Sequence, residues 1–86
     1  MKFIYSTHAQ EDYEYWTRHN PKIAQKIDLL IADIQLHPYQ GIGKSELLRF
    51  KHSGYWSRRI NHEYRLVYKI ADRCLFIVQC RYHYKK

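Results

Sequence analysis

The sequence predicts an α+β fold: two N-terminal helices packed on one face of a small antiparallel β-sheet, in the order β-α-α-β-β-β-β. Three observations carry this expectation. Apolar residues recur at helical spacing in the first half, as in Ile23, Ile27, Leu30, Ile31 and Ile34. After Lys44 the period shortens to two, as in Leu66, Tyr68 and Ile70. Turn-forming groups, His52-Ser53-Gly54, Asn61-His62-Glu63 and Asp72-Arg73, separate the alternating segments.

Each element has its own signal. Lys2 to Tyr5 reads as a short first strand. Thr7 and Gln10 then have the spacing of a capping box, in which hydroxyl and amide satisfy orphan N–H groups at a helix start. Ala9, Tyr13 and Trp16 follow on one helix face. Asn20-Pro21 marks a second start, with an N-cap side chain before a proline whose missing N–H costs nothing there. The stripe from Ile23 runs to about His37, where Pro38 stops it, and Gly41 and Gly43 mark a loop. Glu46 to Arg49, Tyr55 to Ile60, Tyr64 to Ile70 and Leu75 to Tyr82 read as four strands. Repeats and Pro/Gly-rich linkers are absent, so residues 1–86 are expected to form a single domain.

Composition narrows the class. Of 86 residues, 45% are hydrophobic and 16% aromatic, too many for a disordered chain. The N-terminal apolar run is too short for a signal peptide, and no stretch approaches the ~20 apolar residues of a membrane span. Cys74 and Cys80 are too few for a disulfide framework. Six residues apart on one strand, they would lie about 20 Å from each other, whereas a bridge tolerates about 7 Å. The expectation is a reduced, cytoplasmic protein that meets no membrane.

Charge is skewed between the halves. Residues 1–43 hold four basic and five acidic side chains, net −1; residues 44–86 hold eleven and three, net +8. A polyanion, most often nucleic acid, is the partner such a skew implies. If the turn at 61–63 sets Ile60 opposite Tyr64, then Arg59 faces Arg65 on one side of the sheet. Two opposed cations repel, and an anion between them is the natural remedy. If Phe76, Val78, Cys80 and Tyr82 share the helix-covered face, parity adds Arg81 and His83 to the cationic side. Spacing alone does not place Glu46 or Arg49.

Such a face suits metal-free cleavage of RNA. That reaction needs a base for the 2′-hydroxyl proton, cations for the phosphorane charge and an acid for the departing 5′-oxygen. Glu46, then Arg49, Arg59 and Arg65, then His83 fill those roles in order; Tyr82, Tyr84 and Tyr55 offer surfaces for unpaired bases. No metal or cofactor is called for. Cys80 and His83 would point to opposite faces of a strand, and Gly41-Ile42-Gly43-Lys44 lacks the full phosphate-loop pattern.

Gly54-Tyr55-Trp56-Ser57-Arg58-Arg59-Ile60, Glu63-Tyr64-Arg65-Leu66-Val67-Tyr68 and Cys80-Arg81-Tyr82-His83-Tyr84 resemble the YoeB/Txe-type toxins of bacterial type II toxin–antitoxin systems, within the RelE/ParE superfamily. The resemblance implies a fold similar to small microbial ribonucleases and an mRNA endonuclease that cuts in the ribosomal A site, halting translation. It places the general base on Glu46, the phosphate-stabilising arginine on Arg65 and the general acid on His83, followed by Tyr84. Arg59 is a second cation, and Arg49 stands where a lysine is common. It also implies a YefM-like antitoxin, the ribosome and mRNA as partners, and a homodimer. Tyr13, Tyr15 and Trp16, more aromatic surface than one helix stripe buries, are a hint of that dimer. Lys85 and Lys86 extend past the usual tyrosine ending. Two other readings compete: a ParE-like DNA-gyrase inhibitor of the same fold, and a non-catalytic RNA- or ribosome-binding module.

Overall fold

A computed structural model describes residues 1–49 and 54–82. The chain runs β1 (Lys2–Tyr5), α1 (Thr7–His19), α2 (Pro21–Leu36), β2 (Glu46–Leu47), β3 (Trp56–Arg59), β4 (Arg65–Ala71) and β5 (Cys74–Gln79). The strands form one sheet in the order β1-β5-β4-β3-β2. Both helices pack on one face of it, as the apolar patterns require. The core joins Ala9 and Trp16 of α1, Ala24, Ile27, Leu30, Ile31 and Ile34 of α2, and Leu66, Tyr68, Leu75 and Ile77 of the sheet.

The sheet is mixed rather than wholly antiparallel. β1 joins the far edge parallel to β5, with Ile4 beside Phe76 and Tyr5 beside Ile77. Sequence signals for strands carry no direction, which is why the antiparallel expectation misses this pair. The first helix is capped by Ser6, one residue earlier than the Thr7–Gln10 spacing suggests: its Oγ accepts the Ala9 N–H at 3.0 Å. Asn20 keeps its place before Pro21, but makes no side-chain cap bond. Its carbonyl instead accepts the Ile23 N–H at 2.9 Å.

The hairpins follow their turn residues. Asp72 and Arg73 both take positive φ, 52° and 59°, which matches the twist of a two-residue hairpin loop. Asn61 folds its own turn, its Oδ1 accepting the N–H groups of Glu63 and Tyr64 at 2.8 Å each. One irregularity corrects the expected parity. Tyr68 pairs with Ile77 but Val67 with Gln79, so Val78 is an extra residue in β5. Leu75 and Ile77 therefore face the helices, and Phe76 lies beside Lys69 on the other face. Beyond the bulge Cys80 turns back to the helix side, where it is fully buried. Both cysteines are unbridged.

The aromatic surplus of α1 finds partners inside the chain. Trp16 is buried, Tyr13 donates its hydroxyl to Asp28 at 2.9 Å, and Tyr15 stacks with His19. That removes the helix-aromatic argument for a dimer. Among the described residues no helix is long and apolar enough to cross a membrane. The expected turn at His52-Ser53 lies outside the described residues.

Candidate active site

The sheet face away from the helices carries the cationic row. Arg59, the last residue of β3, pairs with Arg65, the first of β4, so the two side chains share that face as the turn spacing predicts. β2 pairs with β3 with Glu46 opposite Ser57 and Leu47 opposite Trp56. Glu46 thus stands on the same face, diagonal to Arg59, a relation of roughly 7–8 Å in an antiparallel pair. Register, which no spacing argument could supply across a loop, is what brings Glu46 into the cluster.

The environments of the two arginines differ. Arg59 is exposed, and its backbone N–H donates to the Gly43 carbonyl at 2.6 Å. Arg65 is 8% exposed, and its Nη1 donates to the carbonyls of Asn61, His62 and Tyr64 at 2.9, 3.3 and 3.1 Å. The turn therefore orients the guanidinium before any anion arrives. A preorganised cation stabilises developing charge without reorganising during the reaction. Arg49 is exposed just past the end of β2.

Arg81 does not stay with this row. Its guanidinium carbon lies 3.5 Å from the centroid of the Tyr15 ring on α1, and 5.1 Å from that of Tyr82. Tyr82 is half exposed, its ring 6.3 Å from that of His8. His83, Tyr84, Lys85 and Lys86 lie outside the described residues. Among the described residues no three His, Cys, Asp or Glu side chains gather to hold a metal ion.

Two buried charges had been given no role from the sequence. Arg58 is fully buried and reaches α2 and the loop after it: Nη1 meets Asp33 Oδ2 at 2.7 Å and the Ile42 carbonyl at 3.0 Å. Its Nη2 donates to the carbonyls of His37 and Gln40, and Nε to the Tyr68 hydroxyl. That hydroxyl in turn donates to the Pro38 carbonyl at 2.7 Å. Asp33 is held below the usual carboxylate range, chiefly by its bond from Arg58. This network ties the 37–42 loop to β3, and Gly43 docks on the Arg59 backbone immediately after it. A Cβ on Gly43 would come within 3.0 Å of the Arg59 carbonyl oxygen, at a φ of 80°. The loop that delivers Glu46 is thereby fixed at two points. The alternation Trp56, Arg58, Ile60 was the available signal that Arg58 points inward.

The second buried charge is Asp12 of α1. Its Oδ2 accepts the Cys80 N–H at 3.0 Å and lies 3.5 Å from His8 Nε2. Burial pushes its carboxyl up, against the Cys80 hydrogen bond and the nearby charges of His8 and Arg81.

Two helices on a five-stranded mixed sheet are a fold this chain shares with solved bacterial toxins. The chain aligns in structure with the YoeB dimer from Staphylococcus aureus, at a TM-score of 0.91 and 42% identity over 98% of each chain. It aligns likewise with the toxin in the heterotetrameric YoeB–YefM toxin–antitoxin complex from Staphylococcus aureus, at 0.90 and 42% over 98% of each. In sequence it is 49% identical to Toxin YoeB of Streptomyces coelicolor over 98% of this chain and 100% of that one. Residues 5–84 match the family described as YoeB-like toxin of bacterial type II toxin–antitoxin system, and the chain belongs to that family.

Proposed function

We propose that this toxin is a ribosome-dependent mRNA endoribonuclease that works by metal-free acid–base chemistry. The observation that carries the reading is Glu46 on the same sheet face as the directly opposed Arg59 and Arg65. Glu46 removes the 2′-hydroxyl proton, and the 2′-oxygen attacks the adjacent phosphorus. Arg65, already oriented by the 61–64 turn, and Arg59 stabilise the phosphorane. His83, beside Tyr84, protonates the departing 5′-oxygen as the P–O5′ bond breaks. The exposed Arg49 and Arg59 contact phosphates of the message.

The natural partner is a YefM-like antitoxin. The Staphylococcus aureus relative is seen with YefM, and the net charge of +7 suits an acidic segment that orders as it wraps the toxin. A homodimer is proposed on the Staphylococcus aureus YoeB dimer alone. The toxin acts in the cytoplasm, where its message and ribosomes are.

The test is single-turnover cleavage of a message on programmed ribosomes, comparing the wild type with Glu46→Gln and His83→Gln. A positioned proton-transfer group contributes ~10²–10⁴ in rate, so each variant should lose that much while still binding ribosomes. Cutting by Glu46→Gln at the wild-type rate would end the base assignment. Inhibition of gyrase supercoiling with no message cleavage would favour the ParE-like alternative.

A further inference from the structure

Arg65 begins β4, and Val67 and Lys69 follow it on the same face of the sheet. At about 3.4 Å per residue, Lys69 lies about 14 Å along the strand from Arg65. It pairs with Phe76 of β5, and its Nζ stands 6.0 Å from the centroid of that ring. On its other side the Tyr55 ring, just ahead of β3, lies 5.4 Å from the same nitrogen. All three side chains are half-buried. Among the described residues no carboxylate forms an ion pair with Lys69. Lysine is disfavoured in strands, and a leucine there would cover both rings without a charge. Among the described strand residues on this face, Lys2, Arg59, Arg65 and Lys69 are cations and Glu46 is the acid. Lys69 thus continues the charge of the Arg59–Arg65 pair across the sheet.

We propose that Lys69, Tyr55 and Phe76 form a second RNA contact, away from the reacting atoms, for single-stranded message running on from the Arg59–Arg65 pair. Lys69 holds a phosphate there, and the two rings carry unpaired bases. A cation flanked by aromatic rings on an open sheet face is the combination that single-stranded RNA uses, since every base has a face to stack. An acidic protein segment would satisfy the Lys69 charge but would leave the rings without a stacking partner, so RNA is the occupant the row fits. The inference deepens the reading of this face as a ribonuclease site and rests on it.

The experiment measures binding of 2′-O-methyl oligoribonucleotides, which keep the RNA backbone but offer no attacking hydroxyl, to the wild type, Lys69→Gln, Phe76→Leu and Arg65→Ala. Lys69→Gln should weaken binding of a decanucleotide by ~3–10-fold at low salt and lower the slope of log Kd against log salt by about 0.7–1, as the loss of one phosphate contact does. Lys69→Arg should restore both. Phe76→Leu should weaken binding by about fivefold or more with the slope unchanged, because stacking releases no counterions. A dinucleotide has one phosphate, which cannot meet Arg65 and Lys69 together. It should bind Lys69→Gln as it binds the wild type, and Arg65→Ala less tightly. A decanucleotide Kd for Lys69→Gln within about twofold of the wild type, with Arg65→Ala still weakened, would overturn the inference and leave the reading of the catalytic face standing. No loss in either variant would overturn both. Equal weakening of dinucleotide and decanucleotide by Lys69→Gln would overturn the separate contact, since a general field effect then explains the loss. A glutamate decapeptide held more tightly than the decanucleotide, and released by Lys69→Gln, would reassign the row to an acidic protein segment. Should Lys69→Gln fail to fold, Lys69→Met takes its place, with the same outcomes.

Discussion

Replacing Arg58 with methionine keeps most of its apolar stem and deletes the guanidinium. Asp33 then loses its ion-pair partner, and the His37, Gln40 and Ile42 carbonyls lose their donor. Breaking one side of a buried pair costs about 3–5 kcal/mol. The Asp33 side chain is 19% exposed and keeps the Ile42 N–H at 3.2 Å, which places the cost nearer the lower figure. A chain of this length has a total stability of roughly 4–13 kcal/mol, so Arg58→Met removes a large share of it. With a urea slope of about 1.5 kcal/mol per molar, the midpoint should fall by about 2 M. The assay is equilibrium urea unfolding of the wild type and Arg58→Met side by side. Adding Asp33→Asn should recover part of the loss, because the stranded carboxylate is then gone. The sign with pH follows from Asp33. Its folded-state pKa is depressed, so its contribution is present above the ordinary carboxylate value and lost as pH falls through the lower folded value. The gap between wild type and Arg58→Met should therefore narrow below about pH 4. A midpoint shift under about 0.5 M at neutral pH would refute the claim that this network holds the loop.

Arg59 and Arg81 should part company in salt titrations of RNA binding. Arg59→Ala should reduce the slope of log Kd against log salt by about one, as the loss of a phosphate contact does. Arg81→Ala should change it by less, because the Tyr15 ring covers one face of its guanidinium; equal slopes for the two variants would contradict the stacked geometry. At the start of α1, Ser6→Ala should cost about 1 kcal/mol in the same urea assay, while Thr7→Ala should cost much less. The reverse order would return the cap to Thr7.

The elements and the cationic face were legible because they are local. Ile23 to Ile34 declares a helix by its period, Asn61 and Asp72-Arg73 declare turns by residue type, and a short turn forces Arg59 opposite Arg65. Family membership was legible for a related reason: contiguous segments such as Trp56 to Ile60 and Cys80 to Tyr84 carry it. What tertiary structure decided is long-range. β1 pairs parallel with a strand some seventy residues later, and a strand pattern holds no information about direction or neighbour. The bulge at Val78 reverses parity within β5, because one unpaired residue swaps every later side chain to the other face. Glu46 joins the cations only through the β2–β3 register, itself set by a loop pinned to a buried arginine. Asp12 looks like a surface charge in sequence, and alternation turns Arg58 inward without saying what its guanidinium would meet. Each becomes a structural anchor only where folding supplies its partners, and those partners lie far away in the chain.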